Sequence, residues 1–289
     1  MSGNRERLRA EILAAKIRRD VVEMIGCEGQ TGHLGGSFSS ADLVAALYGA
    51  KMRFDPRNPD WEERDRFIYS KGHAAIAQYA AMAEVGYFPR EELKTVKCLG
   101  SRLQGHPDRL KLPGVEAGTG SLGQGLSVAV GMALGMRLDG RQGRVYCVIG
   151  DGEMNEGQIW EAAMAASNFG LDHLVAILDL NGQQATGRCE DRFRLGGVRE
   201  KWEAFGWETT EIDGHDMAQI FQALDSVRTC AAKPHIIIAH TMKGYGVSFA
   251  QDRLGFHNCS LTPQQYQQAL SELDAHLDAL GQQERMCEA

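Results

Sequence analysis

The fold is decided by residues 144–163, RVYCVIGDGEMNEGQIWEAA. Residues 144–149 form an almost continuous apolar run, as in a parallel strand that is buried on both faces. The turn Gly150-Asp151-Gly152 ends this strand, and a helix is predicted over about 155–169. A second apolar run, HLVAIL at 173–178, follows at a distance that allows a crossover between parallel strands. The stretch therefore predicts a βαβ unit.

The same alternation of strands and helices extends in both directions from this unit. WETTEI at 207–212 and HIIIAH at 235–240 read as further strands, with a helix around Ile220 and Leu224 between them. Upstream, the apolar spacing predicts helices at 5–25, from 41 onward, at about 74–86 and at 122–138. We predict an α/β fold, a doubly wound and mostly parallel sheet with helices on both faces, in a single domain over residues 1–289.

Two glycine-containing segments are predicted as loops. Residues 31–39, TGHLGGSFS, contain glycines that should interrupt the helical pattern, and Ser39 or Ser40 is predicted to cap the following helix. Residues 98–120 form a second loop, which is long for a compact domain. Loops of that length are usually functional.

The C-terminal region carries a clear helix signal. Thr262, Pro263 and Gln265 combine a capping hydroxyl, a first-turn proline and a capping-box amide. An apolar stripe then predicts a helix over about 262–280, ending before Gly281. Packing of this helix on its own domain is the preferred interpretation, and binding of a partner is the alternative.

Composition excludes several classes of protein. The 289 residues include 31 Lys+Arg and 38 Asp+Glu, a net charge of −7, which argues against nucleic acid as a partner. No run approaches the ~20 apolar residues of a membrane span. The N-terminal residues mix charged and apolar side chains from the outset, so we expect no signal peptide. The seven cysteines form no CxxC pair, and we expect reduced thiols in a cytoplasmic protein.

Polar residues at two successive strand ends predict a cation site. Asp151 ends the first strand, and Asn181 ends the next one in LDLNG. If the strands are neighbours, these side chains and a backbone carbonyl just after Asn181 should converge on one divalent cation. Mg²⁺ bound in this way, or the larger Ca²⁺, keeps coordination positions for phosphate oxygens and water.

A glycine pattern resembling a dinucleotide fingerprint is judged accidental. Gly118, Gly120 and Gly123 satisfy G-x-G-x-x-G. The fingerprint requires a strand immediately before it, and KLPGVEA is not one. These glycines do lie at the start of a predicted helix, so the sequence is still compatible with close approach of an anion or a flat ring to that helix end.

Several stretches together resemble the N-terminal half of a transketolase, and specifically the N-terminal subunit of a split transketolase. They occur in the family's order over roughly residues 10–260. The stretches are TGHLGGSFSSADLVAALY, RDRFIYSKGHAAIAQYA, LQGHPD, GTGSLGQGLSVAVGMAL, GDGEMNEGQIWEA and LDLNGQQATG. The resemblance implies the thiamine diphosphate-binding fold, with this chain as its diphosphate-binding domain.

The resemblance also implies roles for individual residues. Three positions resemble the Mg²⁺ ligands, a site that Ca²⁺ or Mn²⁺ also suits: Asp151, Asn181 and the carbonyl of Gln183. Gly152 and His73 resemble neighbours of the diphosphate, and the loop Gly120-Ser121-Leu122 resembles the one touching the aminopyrimidine. The histidines resembling those of the substrate channel are His33, His106 and His257. Lys243 either faces the diphosphate or caps its loop. The remaining histidines, among them His215, are interpreted as structural.

The implied activity is transfer of a two-carbon ketol unit from a ketose phosphate to an aldose phosphate in pentose phosphate metabolism. In the family, a glutamate that activates the cofactor belongs to a following domain, which this sequence lacks. We therefore expect a separate C-terminal partner subunit, in a two-plus-two heterotetramer. Two alternatives stay open: a ketolase of the same family for a sulfonated or branched sugar, and a non-catalytic half that binds cofactor or regulates another enzyme.

Overall fold

The computed structural model describes residues 2–26, 30–228 and 232–288. Two of the seven cysteines, Cys27 and Cys230, lie outside these residues. The other five carry free thiols: Cys98, Cys147, Cys189, Cys259 and Cys287.

A parallel sheet forms the centre of the molecule. In chain order, the strands are β1 (Arg66–Tyr69), β2 (Val145–Gly150), β3 (Leu174–Leu180), β4 (Gln183–Gln184), β5 (Gly187–Arg188), β6 (Glu208–Asp213) and β7 (His235–His240). Five of them pair in the order β1-β2-β3-β7-β6, all parallel, and β4 and β5 form a small antiparallel pair. The predicted parallel α/β fold is confirmed, whereas β1 was not predicted because it is only four residues long and begins with an arginine.

Ten α-helices occur in the described residues, joined by short 3₁₀ and π turns. The helices are α1 (Ser2–Ile25), α2 (Leu34–Ser39), α3 (Ala41–Ala46), α4 (Ala75–Glu84), α5 (Gln124–Leu138), α6 (Gly157–Asn168), α7 (Cys189–Arg192), α8 (Val198–Ala204), α9 (Met217–Ser226) and α10 (Pro263–Glu288). None of them is both long enough and apolar enough to cross a membrane.

Alternate residues of the central strands enter two separate cores. On β2, Tyr146 and Val148 pack with α1, α3, α4 and α9, whereas Cys147 and Ile149 pack with α5, α6 and α8. Every residue of this strand is buried. Burial on both faces explains why the strand sequence is continuously apolar. The assignment of residues 1–289 to one domain stays a prediction.

The predicted loop over 31–39 is wrong in its second part, because residues Leu34–Ser39 form a buried helix. Its glycines serve close packing instead of chain reversal. A Cβ atom at Gly35 would lie 2.8 Å from the Lys243 side chain and 2.9 Å from the Phe256 carbonyl oxygen. A glycine pattern of this kind favours a loop, whereas here tertiary contact requires a residue without a side chain at position 35 inside the helix.

The predicted serine cap of α3 is also wrong. Ser40 occupies the position before the helix, but its side chain does not cap it. The Ser40 hydroxyl instead donates to the Gly36 carbonyl at 2.8 Å and lies 2.5 Å from the Tyr69 hydroxyl. Ser39 donates to the Asp179 carboxylate at 2.6 Å. Both hydroxyls therefore join α2 to the sheet.

The predicted capping box of α10 is confirmed. The Thr262 amide donates to the Gln265 side-chain oxygen at 3.0 Å, and the Gln265 amide donates to the Thr262 hydroxyl at 3.2 Å. The helix packs on α1 through its apolar stripe, with Leu273 and Leu280 buried. It continues through Gly281 to Glu288, so the predicted end was too early. A glycine inside a helix costs only about 1 kcal/mol, which packing readily offsets.

Residues 98–120 form neither helix nor strand, as predicted. The absence of a strand before Gly118 also agrees with the rejection of the dinucleotide fingerprint. This loop crosses the carboxyl-terminal edge of the sheet and brings Gly120 to the cavity described next.

Candidate active site

A cavity of about 570 Å³ opens at the carboxyl-terminal edge of the sheet. Because β2 and β3 are parallel neighbours, with Gly150 paired to Asp179, the residues that follow them emerge side by side. Ligands of open α/β sheets bind at such edges. The predicted site residues that line the cavity are His33, His73, Gly120, Leu122, Asp151, Gly152, Asn181, Gln183, Lys243 and His257.

Two predicted site residues, His106 and Ser121, do not line this cavity. The His106 ring lies behind Gly120, where a Cβ atom would meet its Cδ2 at 2.7 Å. Gly120 has φ +149°, a conformation that favours glycine, so this close contact depends on the missing side chain. Both Ser121 and His106 are exposed.

The two strand ends form a corner that is rich in oxygen atoms. The Asp151 carboxylate accepts hydrogen bonds from the Gly152 amide at 2.7 Å and from the Gly182 amide. The Asn181 side-chain oxygen accepts one from the Gln183 amide at 3.1 Å. The side-chain oxygen of Gln183 is buried and has no hydrogen-bond partner. Asp151 and Asn181 therefore face one cavity, joined through the backbone between residues 181 and 183.

This corner is suited to a hard divalent cation. In the described residues, no group of three His, Cys, Asp or Glu side chains is placed to hold a metal ion. The predicted site offers one carboxylate, one side-chain amide oxygen and one backbone carbonyl oxygen. Mg²⁺ binds to few protein ligands of this kind when phosphate and water oxygens fill its other coordination positions. Burial and the nearby Asp179 raise the pKa of Asp151 to about 6, so its negative charge is undercompensated by the protein. A cation would stabilise that charge.

Lys243 supplies a buried positive charge beside this corner. Its side chain is 2% exposed, and its ammonium group donates to the Gln183 carbonyl at 3.3 Å. Burial lowers the pKa of Lys243, although Asp151 partly opposes the effect. Among the described residues, no carboxylate lies within 4 Å of this ammonium group, so it is poised for an anion from outside the chain. The role of Lys243 toward a diphosphate stays a prediction, and its hydrogen bond in this structure is to the Gln183 carbonyl.

Lys71 is a second buried lysine, and it is fully paired. Its ammonium group contacts the Asp179 carboxylate and the Gly36 carbonyl. Asp179 also accepts from Ser39 and Thr241. Burial opposes the ionisation of Asp179, but Lys71 outweighs it and holds the pKa of Asp179 below its usual value. This ion pair forms the floor of the cavity between α2 and the sheet.

Three histidines form a contiguous wall of the cavity. The ring centroid of His33 lies 4.8 Å from that of His73 and 5.3 Å from that of His257, and His73 and His257 are 5.4 Å apart. Burial and nearby positive charges lower their pKa values, to about 4 for His33 and His257 and about 2 for His73. The rings are therefore neutral at neutral pH, and their free ring nitrogens can accept hydrogen bonds. The Nδ1 atom of His257 is buried without a partner.

A buried glutamate, which sequence reasoning missed, ties the cavity walls together. Glu153 accepts from the Gly123 amide at 2.8 Å, from the Gly150 amide at 3.1 Å and from the Ser70 hydroxyl. Burial raises the pKa of Glu153 despite these donors. One carboxylate thus connects the end of β2, the start of α5 and the residue after β1.

Lys71 and Glu153 both lie in motifs of the sequence, SKGHAA and GDGEMN. The signal that could have found them is a charged residue directly beside a buried strand or a glycine turn. It is hard to read from the sequence, because β1 itself is too short to be recognised.

Comparison with known proteins identifies the family of this chain. Residues 10–278 match the family model described as the thiamine diphosphate binding domain of transketolase. A 6-deoxy-6-sulfo-D-fructose transketolase subunit, SqwG, from Clostridium sp. (strain MSTE9) is 45% identical over 89% of this chain and 94% of its own length. A subunit of the apulose-4-phosphate transketolase from Phocaeicola vulgatus is 40% identical over 93% of this chain and 95% of its own.

Solved transketolase structures share the fold. The transketolase of Leishmania mexicana superposes with a TM-score of 0.83 at 29% identity, covering 96% of this chain. The enzyme of Campylobacter jejuni gives 0.83 at 30% identity over 94% of this chain. This chain spans less than half of those longer chains, 46% and 43% respectively.

Proposed function

This chain belongs to the transketolase family, as an N-terminal subunit with the thiamine diphosphate binding domain, and we propose that it transfers two-carbon ketol units between sugars together with a second chain. The observation that carries the proposal is the joint placement of neutral histidines, an oxygen-rich corner and a buried lysine with only a carbonyl partner in one cavity. Each of these features matches a separate requirement of the chemistry.

The oxygen-rich corner would hold a divalent cation, and the lysine would face the diphosphate. We assign the cation to Asp151, Asn181 and the Gln183 carbonyl, with Mg²⁺ preferred and Ca²⁺ or Mn²⁺ as alternatives. The remaining contacts with the cofactor are assigned to His73, Gly120, Ser121, Leu122, Gly152 and Lys243. Among these residues, Ser121 does not line the cavity in this structure.

The histidines would contact the hydroxyl groups of the sugar next to the reacting carbons. Bound thiamine diphosphate supplies the electron sink needed when the carbon–carbon bond of the ketose breaks. Neutral His33 and His257 would accept hydrogen bonds from the hydroxyl groups of the sugar, and the partner-free Nδ1 of His257 is one such acceptor. His106, which lies behind Gly120, would act at the outer end of the same channel.

We propose that a C-terminal subunit supplies the pyrimidine side of the cofactor site and the activating glutamate. The support is that two relatives carrying the word subunit in their names have nearly the length of this chain, whereas solved transketolase chains are about twice as long. A two-plus-two heterotetramer is the simplest assembly of this kind. Free thiols in the described residues support a cytoplasmic location.

The substrate class is proposed from the family and from the names of the relatives. We propose sugar phosphates of the pentose phosphate type, and the names of the relatives favour a second candidate, a sulfonated or branched sugar. The relative from Clostridium is named for 6-deoxy-6-sulfo-D-fructose, and the one from Phocaeicola vulgatus for apulose 4-phosphate. Comparing turnover of these three donor types by the reconstituted enzyme distinguishes the candidates.

Reconstitution tests the proposal. The purified chain, a C-terminal transketolase subunit from the same source, Mg²⁺ and thiamine diphosphate are mixed, and ketol transfer to an aldose is measured. We expect activity in the mixture and none with either chain alone. An Asp151→Ala chain should form the complex but lose both Mg²⁺-dependent cofactor binding and activity. Robust transfer by the chain alone, or full activity of the Asp151→Ala complex, would contradict the proposal. Partner binding without activity in any version would favour a non-catalytic half.

A further inference from the structure

The position of the Lys243 side chain depends on the backbone segment from which it extends. Lys243 lies in an irregular segment, residues 241–247, directly after β7. Its own side chain makes one hydrogen bond, to the Gln183 carbonyl. Its backbone carbonyl accepts from the Asp252 amide at 2.9 Å, and the amides of Met242 and Gly244 on either side are also hydrogen-bonded. The Gly244 amide donates to the Gly35 carbonyl at 3.1 Å, and the Met242 amide donates to the Nε2 atom of His215 at 2.8 Å.

His215 contacts this segment in two ways. Since the Met242 amide is a donor, Nε2 of His215 must be the acceptor, and the ring proton must be on Nδ1. That Nδ1 lies 2.7 Å from the Asp42 carboxylate, to which it donates. The imidazole also stacks on the Tyr245 ring with a centroid distance of 3.7 Å and an interplanar angle of 14°. The ring therefore holds the residues on both sides of the Lys243–Gly244 pair.

Asp42 anchors His215 to the core. Its carboxylate also pairs with the buried guanidinium of Arg18, with one contact at 3.1 Å. Arg18 in turn donates to the Phe38 carbonyl at 3.1 Å and lies 5.1 Å from the centre of the Tyr245 ring. Burial opposes the ionisation of Asp42, but Arg18 and His215 outweigh it and lower its pKa. The chain of contacts runs from α1 through α3 to the segment after β7.

We propose that His215 is a positioning residue for Lys243: by accepting the Met242 amide while Asp42 fixes its tautomer, it holds the lysine at the diphosphate end of the cavity. His215 was interpreted from the sequence as structural. The inference rests on the proposed role of Lys243 in binding the diphosphate. It requires that loss of the acceptor at Nε2, and not loss of the ring alone, weakens anion binding.

Two substitutions separate these effects. A glutamine side-chain oxygen reaches about as far as Nε2, so His215→Gln keeps an acceptor for the Met242 amide. Asparagine is shorter and reproduces only the donor to Asp42, so His215→Asn loses that acceptor. Both variants lose the stacking on Tyr245. His276→Asn, an exposed position on α10, is the matched control for removing a histidine.

Two measurements are made. Calorimetry gives the affinity of the complex with the C-terminal subunit for thiamine diphosphate in the presence of Mg²⁺. Thermal denaturation gives the stabilisation of the isolated chain by Mg²⁺ and inorganic pyrophosphate. Lys243→Met should weaken binding by about tenfold or more, as expected for a lost charge-assisted contact. His215→Asn should weaken it by about fivefold, and His215→Gln by less than about twofold. His276→Asn should match the unmodified chain. In a Lys243→Met background, His215→Asn should have little further effect.

Several results overturn the inference. Unchanged binding by His215→Asn contradicts it directly, and equal losses by the Asn and Gln variants mean that the ring acts by packing. An undiminished effect of His215→Asn in the Lys243→Met background also indicates a merely structural role. If Lys243→Met itself binds normally, the assigned role of Lys243 fails as well, whatever the variants at 215 do. Circular dichroism before each titration verifies folding. If the Asn variant does not fold, a loss well beyond twofold in the Gln variant, which keeps the acceptor, contradicts the inference.

Discussion

The two buried lysines of the cavity illustrate how differently one residue type can be used. Lys71 is neutralised within the protein by Asp179, whereas Lys243 has only a carbonyl partner. A buried charge with a good partner is a structural element, and removing one member leaves the other uncompensated. A buried charge without one invites an external counter-ion. Replacement of Lys71 should therefore mainly lower stability, whereas replacement of Lys243 should mainly weaken binding of an anionic ligand.

Lys71→Met should lower the free energy of unfolding by about 3–5 kcal/mol, because Asp179 is then buried without its partner. Urea denaturation of the isolated chain without cofactor measures this effect. The double variant Lys71→Met/Asp179→Asn should recover a substantial part of the loss. Lys16→Met removes an exposed ion pair with Glu84 and should cost less than about 1 kcal/mol. Equal losses for Lys71→Met and Lys16→Met would refute the assigned difference.

The histidine wall makes the stability of the chain sensitive to acid. His33, His73 and His257 have folded-state pKa values of about 4, 2 and 4, below the 6.5 of an unperturbed histidine. Between pH 6.5 and 4 the unfolded chain therefore binds more protons than the folded one, so stability falls as pH falls through this window. Above about pH 7 these groups have no such effect.

His73→Asn tests this dependence. The loss of stability between pH 7.5 and 4.5 should be about 2–3 kcal/mol smaller in this variant than in the unmodified chain. Carboxylate titrations are common to both proteins and cancel in the comparison. His276→Asn, at an exposed position, should leave the pH profile unchanged. Parallel profiles for His73→Asn and the unmodified chain would show that the wall does not resist protonation.

At the scale of elements, α2 shows how a short helix can shape a binding site. It has six residues, all buried, and two of them are glycines. Gly35 lets the Lys243 side chain and the Phe256 carbonyl approach the helix backbone. Gly36 leaves open space next to His73 and Lys71, whose atoms lie 3.7–3.8 Å from where its Cβ atom would be. Side chains at these positions would fill the floor of the cavity.

Gly35→Ala should lower the free energy of unfolding by about 1–3 kcal/mol and weaken pyrophosphate binding, because the added methyl group displaces Lys243 or the Phe256 carbonyl. Gly135→Ala on α5 is the matched control, since a Cβ atom there meets nothing within 4 Å. This control should be neutral or stabilise the chain by up to about 1 kcal/mol. Thermal denaturation and calorimetry measure both variants. A Gly35→Ala chain as stable as the control would mean that α2 has room to move.

The elements that were predictable are those whose pattern is local. The strand segments 145–149 and 174–178 are apolar throughout because both faces are covered, and α10 carries its own capping box. The errors arose where tertiary contacts decide. Nothing local distinguishes the glycines of α2 from those of a loop, and the position of Ser121 outside the cavity depends on how the 98–120 loop folds. Asp151 and Asn181 were foreseeable because parallel strand ends must meet.

On the scale of the whole molecule, the cavity lies at an edge of the sheet and is lined by segments far apart in sequence. The lining residues extend from His33 to His257. Contacts between such distant segments form only in the folded chain, so a ligand bound there stabilises the native state by mass action. A second chain that completes the site should increase this effect.

Thiamine diphosphate should therefore raise the melting temperature of the complex more than that of the isolated chain, and only with a divalent metal present. Mg²⁺ and Mn²⁺ should each support the shift, and excess chelator should remove it. Asp151→Asn should abolish the metal-dependent part in both samples. Differential scanning calorimetry at fixed protein concentration provides the measurement. A shift that survives chelation would argue against a metal bridge between the protein and the diphosphate.

The carboxylate of Glu153 has a consequence for building chimeras from this chain and its longer relatives. Because its oxygens bind Ser70, Gly123 and Gly150 at once, three stretches of sequence are mechanically coupled. Grafting the stretch around Glu153 from a donor protein without an acid at this position would leave the Ser70 hydroxyl and two backbone amides unmatched in the interior. Chimeras should therefore keep their stability only when an acid is retained at position 153.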